Sequence, residues 1–353
     1  MGLEPGRIIV KVLIFEIKPH HFEIIPGFVS LFLQLEYEVD CLLQDAGSYG
    51  DVFCRCEEIK KQIRVYNYTS ESVLDRLLEL QRKNKYGIVF FSSIEEKCQE
   101  AAQLLKQTNT KLAGCCHVFN DADRETFPYF DGRIVTLSET TNPYGHFPEV
   151  NANRFCDDEQ ESRKHKNSTV ICVGASNDHY KLAKAVEKTG IHLTLIRKRY
   201  TIIHLIKYLL IRCFKLNKHD WKRYRPIIKG SGIEVTGRIP FPEMFSRIEA
   251  SDFIAINMYE SVMDEFSSSR TTGSKQLSLG FLKPCIIEKS MADYYGFDET
   301  NAVVYEKGEF AEALERAVGM SREEYGDMVA ELKKLRDKVR RESLENLRLV
   351  LEK

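Results

Sequence analysis

Residues 271–287, TTGSKQLSLGFLKPCII, combine a hydroxyl-rich loop, a short amphipathic helix and a strand that begins after a proline. Thr272, Gly273 and Ser274 are predicted where the helix begins, so that hydroxyls and backbone N–H groups converge and favour an anion such as phosphate. Gly273 lets an oxygen-rich ligand approach the backbone, and Lys275 adds a mobile positive charge. An ordinary Ser/Thr helix cap explains the same residues.

Strand-like and helix-like segments alternate on both sides of this stretch, which is typical of parallel α/β units. In the first half, strands are predicted at 8–16, 39–43, 87–91, 111–117 and 133–137, with helices at 26–36 and 71–82. In the second half, strands are predicted at 169–173, 192–196, 233–235, 253–256, 285–287 and 302–304, with a helix at 179–188.

The polar segment 156–167 has no apolar periodicity and is predicted to be an interdomain linker. It separates an N-terminal domain, 1–155, from a C-terminal domain, 168–320. The remaining segment, 321–353, is predicted to be a long charged helix with one apolar seam. A coiled-coil dimerisation helix is an alternative interpretation of this seam.

The helix that starts at Gly273, its final glycine and the proline-initiated strand resemble the donor-sugar-binding part of GT-B glycosyltransferases. In that family a loop and helix of the C-terminal domain hold the diphosphate of a nucleotide sugar. The resemblance implies an α/β chain of two facing Rossmann-like domains with parallel sheets, the second binding the donor and the last helix packing back on the first. Gln276 falls where many retaining members carry a carboxylate that holds the ribose. The family's pair of glutamates spaced eight apart is absent, because position 268 is Ser.

Three further residues are assigned to donor binding. Gly174 follows the first strand of the second half, at the carboxyl end where open α/β sheets bind ligands. The resemblance places a basic residue on the next helix near the diphosphate, and Lys181 is the match. Arg238 lies in a stretch similar to the family's Gly-Arg/Lys segment after the third strand of the donor domain. A solvated helix lysine and a salt-bridged arginine are the alternatives.

Acid–base candidates occur in the first half of the chain. His20, His21 and Glu23 lie together after the first predicted strand, where acceptor recognition or a general base is expected. His117 ends the strand predicted at 111–117, and many GT-B enzymes have a histidine at the corresponding strand end, facing the transferred sugar. Surface histidines and a core histidine are the alternatives.

The stretch 197–229 carries eleven Lys or Arg residues and one acid, Asp220. A basic amphipathic helix of this kind suits the anionic inner leaflet of a membrane. A core-packed helix with a solvated basic face, or a surface that binds phosphate, explains the same pattern.

The chain has 353 residues, 29% of them charged, and a net charge of −1, which favours a two-domain globular protein and gives no indication of nucleic-acid binding. Ten scattered cysteines without a C-x-x-C pair, and no signal peptide, predict a cytoplasmic protein. We expect a glycosyltransferase of surface-polysaccharide assembly, with a nucleotide-sugar donor, a glycan or lipid-linked acceptor, no cofactor and no metal. The alternatives are a sugar-nucleotide epimerase, a glycerophosphate-type transferase, or an inactive partner subunit.

Overall fold

The computed structural model of the chain describes residues 10–17, 19–45, 47–69, 73–117, 125–136, 140–142, 145–155, 165, 168–174, 178–197, 206, 232–259, 262–263 and 272–352. The chain divides into two compact units. The N-terminal unit comprises Met1–Glu159 with Asp337–Lys353, and the C-terminal unit comprises Gln160–Arg336. Each unit is built on its own parallel sheet.

The N-terminal unit has a six-stranded parallel sheet with the strand order β3-β2-β1-β4-β5-β6. Its strands are β1 Lys11–Glu16, β2 Glu38–Gln44, β3 Arg64–Tyr68, β4 Ile88–Phe91, β5 Lys111–Cys116 and β6 Gly132–Val135. Its helices are α1 Ile25–Gln34, α2 Glu57–Lys60, α3 Val73–Asn84 and α4 Gln99–Lys106, and a 3-10 helix spans Pro19–Ile24. The central strands are buried on both faces, as expected for a parallel sheet covered by helices.

Two β-structures of this unit were not predicted from the sequence. Strand β3 has the sequence RVYNY and is largely exposed, so the apolar pattern that revealed its neighbours is missing. A short antiparallel hairpin, β7 Thr140–Asn142 and β8 Gly145–Phe147, follows the sheet.

The C-terminal unit has a second six-stranded parallel sheet, with the order β11-β10-β9-β12-β13-β14. Its strands are β9 Val170–Val173, β10 Leu193–Ile196, β11 Ile233–Val235, β12 Phe253–Ile256, β13 Cys285–Glu288 and β14 Val303–Tyr305. Its helices are α5 His179–Thr189, α6 Phe241–Glu249, α7 Gly273–Phe281, α8 Lys289–Tyr295 and α9 Phe310–Gly319. The six strands predicted for this half are confirmed to within a residue at each end.

The two sheets share one topology. In each, the chain adds two strands on one side of the first strand and then returns to add three on the other. The order therefore reverses between β1 and β4 in the N-terminal sheet and between β9 and β12 in the C-terminal sheet. In open α/β sheets, ligands bind outside the carboxyl ends of the strands at such a switch point.

The chain ends in a 31-residue helix, α10 Arg322–Glu352, that contributes to both units. Within the C-terminal unit, the Tyr325 hydroxyl donates to the Asp252 carbonyl over 2.9 Å. Within the N-terminal unit, the Asn151 amide donates to Ser343 Oγ and Asn346 Nδ2 donates to the Glu149 carbonyl, each over 2.8 Å. The part of α10 up to Arg336 belongs to the C-terminal unit, and the part from Asp337 belongs to the N-terminal unit.

The helices of the described residues include none that combines the length and the apolar character needed to cross a membrane. The long helix α10 alternates apolar and charged residues along its whole length.

Candidate functional site

Helix α7 begins where the sequence predicted it. Thr272 is the residue before the first turn, has an extended backbone (φ −98°, ψ 137°), and accepts a hydrogen bond on Oγ1 from the Ser274 amide over 3.3 Å. Gly273 is the first residue of the helix and is exposed. The Ser274 and Lys275 amides are bonded to Thr272 Oγ1 and to the Thr272 carbonyl, so what this end of α7 offers an anion is mainly the positive end of the helix dipole.

A hydrogen bond joins this helix start to the sheet. Ser274 Oγ donates to the carbonyl of Val173, the last residue of β9, over 3.2 Å. The next residue, Gly174, has a φ of 116°, a conformation that favours glycine, and its amide donates to the Ile196 carbonyl at the end of β10. Gly174 and Ser274, predicted from separate parts of the sequence, therefore lie together at the carboxyl end of β9.

Helix α5 begins at the same edge of the sheet. The Asp178 carboxylate accepts a hydrogen bond from the Lys181 amide over 3.1 Å, and the Asp178 amide donates to the Asn257 carbonyl just beyond β12. Lys181 is thus placed in the first turn of α5, beside the switch point between β9 and β12. The residues between Gly174 and Asp178 lie outside the described part of the chain.

Lys275 is not the mobile surface charge expected from the sequence. It is only 2% exposed, and its Nζ lies 5.4 Å from the centroid of the Tyr295 ring, in a cation–π contact. Burial raises the pKa of Tyr295, and a hydrogen bond from the Thr272 backbone to its hydroxyl opposes that increase. Tyr295 was missed because the sequence places it only at the end of a helix, before Gly296, and gives no indication of its contacts.

The two remaining donor-side residues are in different settings. Gln276 is 1% exposed within α7, so its amide is not displayed on the surface. Arg238 is exposed in the loop between β11 and α6. Strand β11 is separated from β9 by β10, and two strand spacings amount to about 10 Å. The structure therefore brings Gly174, Lys181 and the residues 272–274 to one edge, with Arg238 further along it.

The N-terminal sheet has a different chemistry at its switch point. Glu16, the last residue of β1, is 0% exposed, and its Oε2 lies 2.8 Å from both Ser92 Oγ and Ser93 Oγ. The single Ser92 hydroxyl proton is shared with the Phe15 carbonyl, 3.1 Å away. The two serines directly follow β4, so the bonds cross the switch point. The Tyr68 hydroxyl, at the end of β3, donates to the Glu16 carbonyl over 3.0 Å. From the sequence, Glu16 was predicted only as the last residue of the strand at 8–16.

His117 lies just beyond β5 and is engaged through both ring nitrogens. Its Nε2 is 2.8 Å from the Ser92 carbonyl, and its Nδ1 is 3.1 Å from Thr136 Oγ1. Because a carbonyl oxygen only accepts hydrogen bonds, Nε2 carries the proton in the neutral ring, and Nδ1 then accepts from the Thr136 hydroxyl. In this geometry the basic nitrogen of His117 is directed at Thr136.

Glu23 lies in the 3-10 helix between β1 and α1 and keeps part of its surface exposed. Burial raises the pKa of Glu23 from 4.5 to about 8, a backbone hydrogen bond of the residue opposes the increase, and the charge of Glu16 adds to it. The side chains of His20 and His21 lie outside the described residues. The predicted linker and the basic stretch 197–229 also lie largely outside them.

Within the described part of the chain, no group of three or more His, Cys, Asp or Glu side chains is close enough to hold a metal ion. That finding does not decide whether the reaction uses a metal, so metal independence stays a prediction.

No protein-family model matches the sequence, and no curated protein matches it in sequence. Solved structures do match. An alpha-glucosyltransferase bound to UDP and a 13-mer DNA has a TM-score of 0.57 at 12% identity, over 96% of this chain and 94% of its own. AviGT4, a glycosyltransferase involved in avilamycin A biosynthesis, has a TM-score of 0.55 at 12% identity, over 97% and 98%.

The UDP-GlcNAc 2-epimerase of Methanocaldococcus jannaschii is also similar, with a TM-score of 0.52 at 12% identity, over 94% of this chain and 99% of its own. Glycosyltransferases and epimerases of this group share the GT-B fold. At such identities the similarity concerns the fold alone. With its two six-stranded parallel sheets of the same order, the chain has the GT-B fold.

Proposed function

We propose that the chain is a glycosyltransferase that takes a sugar from a nucleotide-diphosphate donor bound by its C-terminal unit. The observation that carries this proposal is the hydrogen bond from Ser274 Oγ to the Val173 carbonyl, because it joins the start of α7 to the switch point of the sheet. Two features that each favour phosphate are thereby brought to one place. The similar alpha-glucosyltransferase that binds UDP supports the same assignment.

In the proposed reaction, the acceptor oxygen forms a bond to the anomeric carbon of the sugar. The bond to the diphosphate breaks, its electron pair leaves with the diphosphate, and the acceptor proton is taken up by a general base. The N–H groups at the start of α7, with Lys181 and Arg238, stabilise the charge on the leaving diphosphate. Turnover that is abolished by EDTA would contradict this metal-independent scheme.

The acceptor is a glycan or a lipid-linked sugar, and the pathway is the assembly of a cell-surface polysaccharide. This part of the proposal draws on the family resemblance and on the eleven basic residues of 197–229. Cosedimentation with anionic and neutral lipid vesicles at low salt tests the membrane contact. Equal binding to both vesicle types would remove the inner leaflet from the proposal.

Nucleotide binding is tested by a thermal-shift screen with UDP, GDP, ADP, CDP and dTDP. A ligand present at about 100 times its dissociation constant stabilises the protein by roughly 2.7 kcal/mol. One diphosphate should therefore give a clear rise in Tm. If none of the five changes Tm, the C-terminal unit is not a nucleotide-sugar site.

An epimerase is the second candidate, favoured by the similarity to the M. jannaschii enzyme over almost the whole of both chains. An epimerase needs no acceptor, whereas a transferase does. Incubation of the purified protein with UDP-sugars alone, followed by chromatography of the products, separates the two. An isomerised sugar formed without acceptor would replace the transferase assignment.

A further inference from the structure

Arg133 lies on β6, an edge strand of the N-terminal sheet, and its half-buried guanidinium has few partners. Its Nη1 donates to the Phe127 carbonyl over 3.4 Å, and its Cζ lies 5.2 Å from the centroid of the Phe147 ring, in a cation–π contact. Among the residues that the structure describes, no carboxylate lies within 4 Å of this guanidinium. A guanidinium carries several N–H donors in a planar fork, so most of those of Arg133 are available to a ligand.

Two other arginines of the same unit show how a guanidinium is satisfied elsewhere in this fold. Arg64, on the strand at the opposite edge of the sheet, donates to both carboxylate oxygens of Asp40, over 3.0 and 3.1 Å. Arg76, on α3, lies 5.6 Å from the centroid of a tyrosine ring and also donates to Glu79 over 2.7 Å. Arg133 therefore has the aromatic contact of Arg76 without its carboxylate partner.

The acid closest to Arg133 in sequence is engaged by other groups. Asp131 accepts a hydrogen bond from Lys106 Nζ on one carboxylate oxygen and from the Leu112 amide, over 2.8 Å, on the other. Burial lowers the pKa of Arg133, and the neighbouring Cys116 and Asp131 oppose that decrease. The guanidinium nevertheless stays charged, so its burial has a cost that an anionic partner would reduce.

The hairpin that follows β6 leaves room beside this guanidinium. Gly145, the first residue of β8, has a φ of 120°, a conformation that favours glycine. A Cβ placed at Gly145 would lie 3.4 Å from Arg133 Nη2. No other atom of the described residues, apart from the chain neighbours of Gly145, would lie within 4 Å of that Cβ. A ligand can therefore approach Nη2 from this side.

Strand β6 leads to the sheet edge at which the acid–base candidate His117 lies. Thr136, the residue after β6, has its Oγ1 3.1 Å from His117 Nδ1. Arg133 precedes Thr136 by three residues of extended chain, which span about 10 Å. We propose that Arg133 binds an oxyanion of the acceptor, a carboxylate or a phosphate group, through the N–H donors that its protein contacts leave available.

This inference rests on the proposed function, because it names the class of acceptor, an anionic one. An arginine fork matches the oxygens of a carboxylate and of a phosphate equally well. An acidic glycan would supply the carboxylate, and a lipid-linked sugar would supply the phosphate. The two sources are distinguished by the probe that binds.

The test follows the arginine Nε–H signals of the full chain by NMR with ¹⁵N-labelled arginine, and the Arg133 signal is assigned by its loss in Arg133→Lys. The protein is titrated separately with glucuronate, glucose 6-phosphate and glucose at constant ionic strength. We expect the Arg133 signal to shift saturably with at least one of the two anions and to stay in place with glucose. The Arg76 signal should not respond. Saturation by glucuronate identifies an acidic glycan, and saturation by glucose 6-phosphate identifies a phosphate-bearing acceptor.

A variant gives a second measurement. Arg133→Met keeps an apolar stem against Phe147 and removes the charged fork, so the dissociation constant of the anion, followed at the Gly145 amide, should rise about tenfold or more. Arg76→Met is the matched control and should leave that constant unchanged. If Arg133→Met fails to fold, the titration of the wild type still decides, because it reports on Arg133 directly.

The absence of a saturable shift with either anion would overturn the inference, even if a nucleoside diphosphate raises Tm. Equal shifts of Arg133 and Arg76, or a shift with glucose as large as with the anions, would overturn it as well. A saturable shift confined to Arg133 in a protein whose Tm responds to no nucleoside diphosphate would instead contradict the proposed function and leave the anion site in place. The two failures are therefore distinguishable.

Discussion

The two sheets of this protein have the same strand order and the same switch point, and they differ in what stands at its edge. In the N-terminal sheet, the first strand ends in a buried carboxylate, Glu16, with two serine hydroxyls and an imidazole nearby. In the C-terminal sheet, the first strand is followed by Gly174 and contacts the start of α7. One edge therefore presents a buried carboxyl group with its hydroxyl partners, whereas the other presents the start of a helix, which favours an anion.

The topology of a sheet therefore determines where a ligand can bind, and the residues at the ends of the strands determine which chemistry is available there. A glycine after β9 keeps the backbone accessible, and the helix start presents N–H groups there. In the N-terminal sheet the last residue of β1, Glu16, places a buried carboxyl group at this edge instead. Substitutions in the two units therefore test this difference.

The largest effect is expected for Gly273→Val at the C-terminal edge. A branched side chain at the first helical residue intrudes between the N–H groups and the phosphate oxygens. Losing two or so charge-assisted hydrogen bonds costs about 3 kcal/mol, or roughly a 100-fold loss of UDP affinity. Because Gly273 is exposed, Tm should change little. Calorimetric titration with UDP and a melting curve on the same sample measure both quantities.

Gly326→Val is the matched control for this variant. Gly326 is an exposed glycine of α10, and a Cβ there meets no atom within 4 Å. It should leave UDP affinity unchanged. Equal affinity of Gly273→Val and the control protein would refute phosphate binding at the start of α7.

A purely structural change in the N-terminal unit should have the opposite signature. A Cβ at Gly27 of α1 would lie 2.5 Å from the carbonyl carbon and oxygen of Ala152, and backbone atoms yield poorly. Gly27→Ala should therefore destabilise the protein by about 2 kcal/mol, within the range for overpacking. Its UDP affinity should remain that of the wild type at temperatures where it is folded. A Tm at least equal to that of the wild type would show that α1 can move away from Ala152 at little cost.

The sequence was sufficient for most of the fold because the central strands are short apolar runs. Ile88–Phe91 and Cys285–Glu288 are examples, each bounded by turn residues and predicted to within a residue. Strand Arg64–Tyr68 was missed because it lies at the edge of its sheet, where exposed polar residues satisfy the backbone pairing equally well. A local apolar pattern identifies a buried strand, whereas an edge strand is determined by its backbone pairing with the neighbouring strand.

The candidate site was predictable from the sequence only where it is formed by backbone groups. The helix start at Thr272–Ser274 follows from local capping rules, and the structure confirms that start. The partner of Ser274 is a carbonyl 101 residues away, and the partners of Glu16 are serines 76 and 77 residues away. Rules based on neighbouring residues cannot predict such hydrogen-bond partners, because the order of the strands in the sheet brings them together.

The N-terminal edge makes a prediction for pH. The folded protein holds the Glu23 proton up to about pH 8, whereas an ordinary glutamate releases it near 4.5. The folded state therefore binds more protons between these values, so Glu23 lowers the stability progressively as pH rises through that window. Glu23→Gln mimics the protonated form and should remove this decline. Urea denaturation at pH 5, 7 and 8.5 measures it, and parallel stability curves for the two proteins would contradict the raised pKa.

The smallest effect compares two serines of the same helix, α7. Ser274 Oγ donates to the Val173 carbonyl over 3.2 Å at the edge of the sheet, and Ser278 Oγ donates to the Lys283 carbonyl over 2.7 Å at the other end of the helix. Each substitution by alanine removes the hydrogen bond to a carbonyl, and Ser278→Ala also removes the hydrogen bond between Ser278 and the Cys285 thiol. Each should cost about 1 kcal/mol of stability or more. Stability alone therefore does not distinguish them.

Nucleotide affinity should distinguish the two serines. Ser274→Ala removes the bond between the helix start and β9. Ordering the helix start on binding then costs free energy, so UDP affinity should fall by about fivefold, or roughly 1 kcal/mol. Ser278→Ala leaves the contact with β9 intact, and its UDP affinity should equal that of the wild type. If both variants lose affinity equally, the effect comes from general loosening of α7, and the bond to Val173 has no special role. If only Ser274→Ala loses affinity, the anion binding proposed for this edge depends on the hydrogen bond from Ser274 Oγ to the Val173 carbonyl.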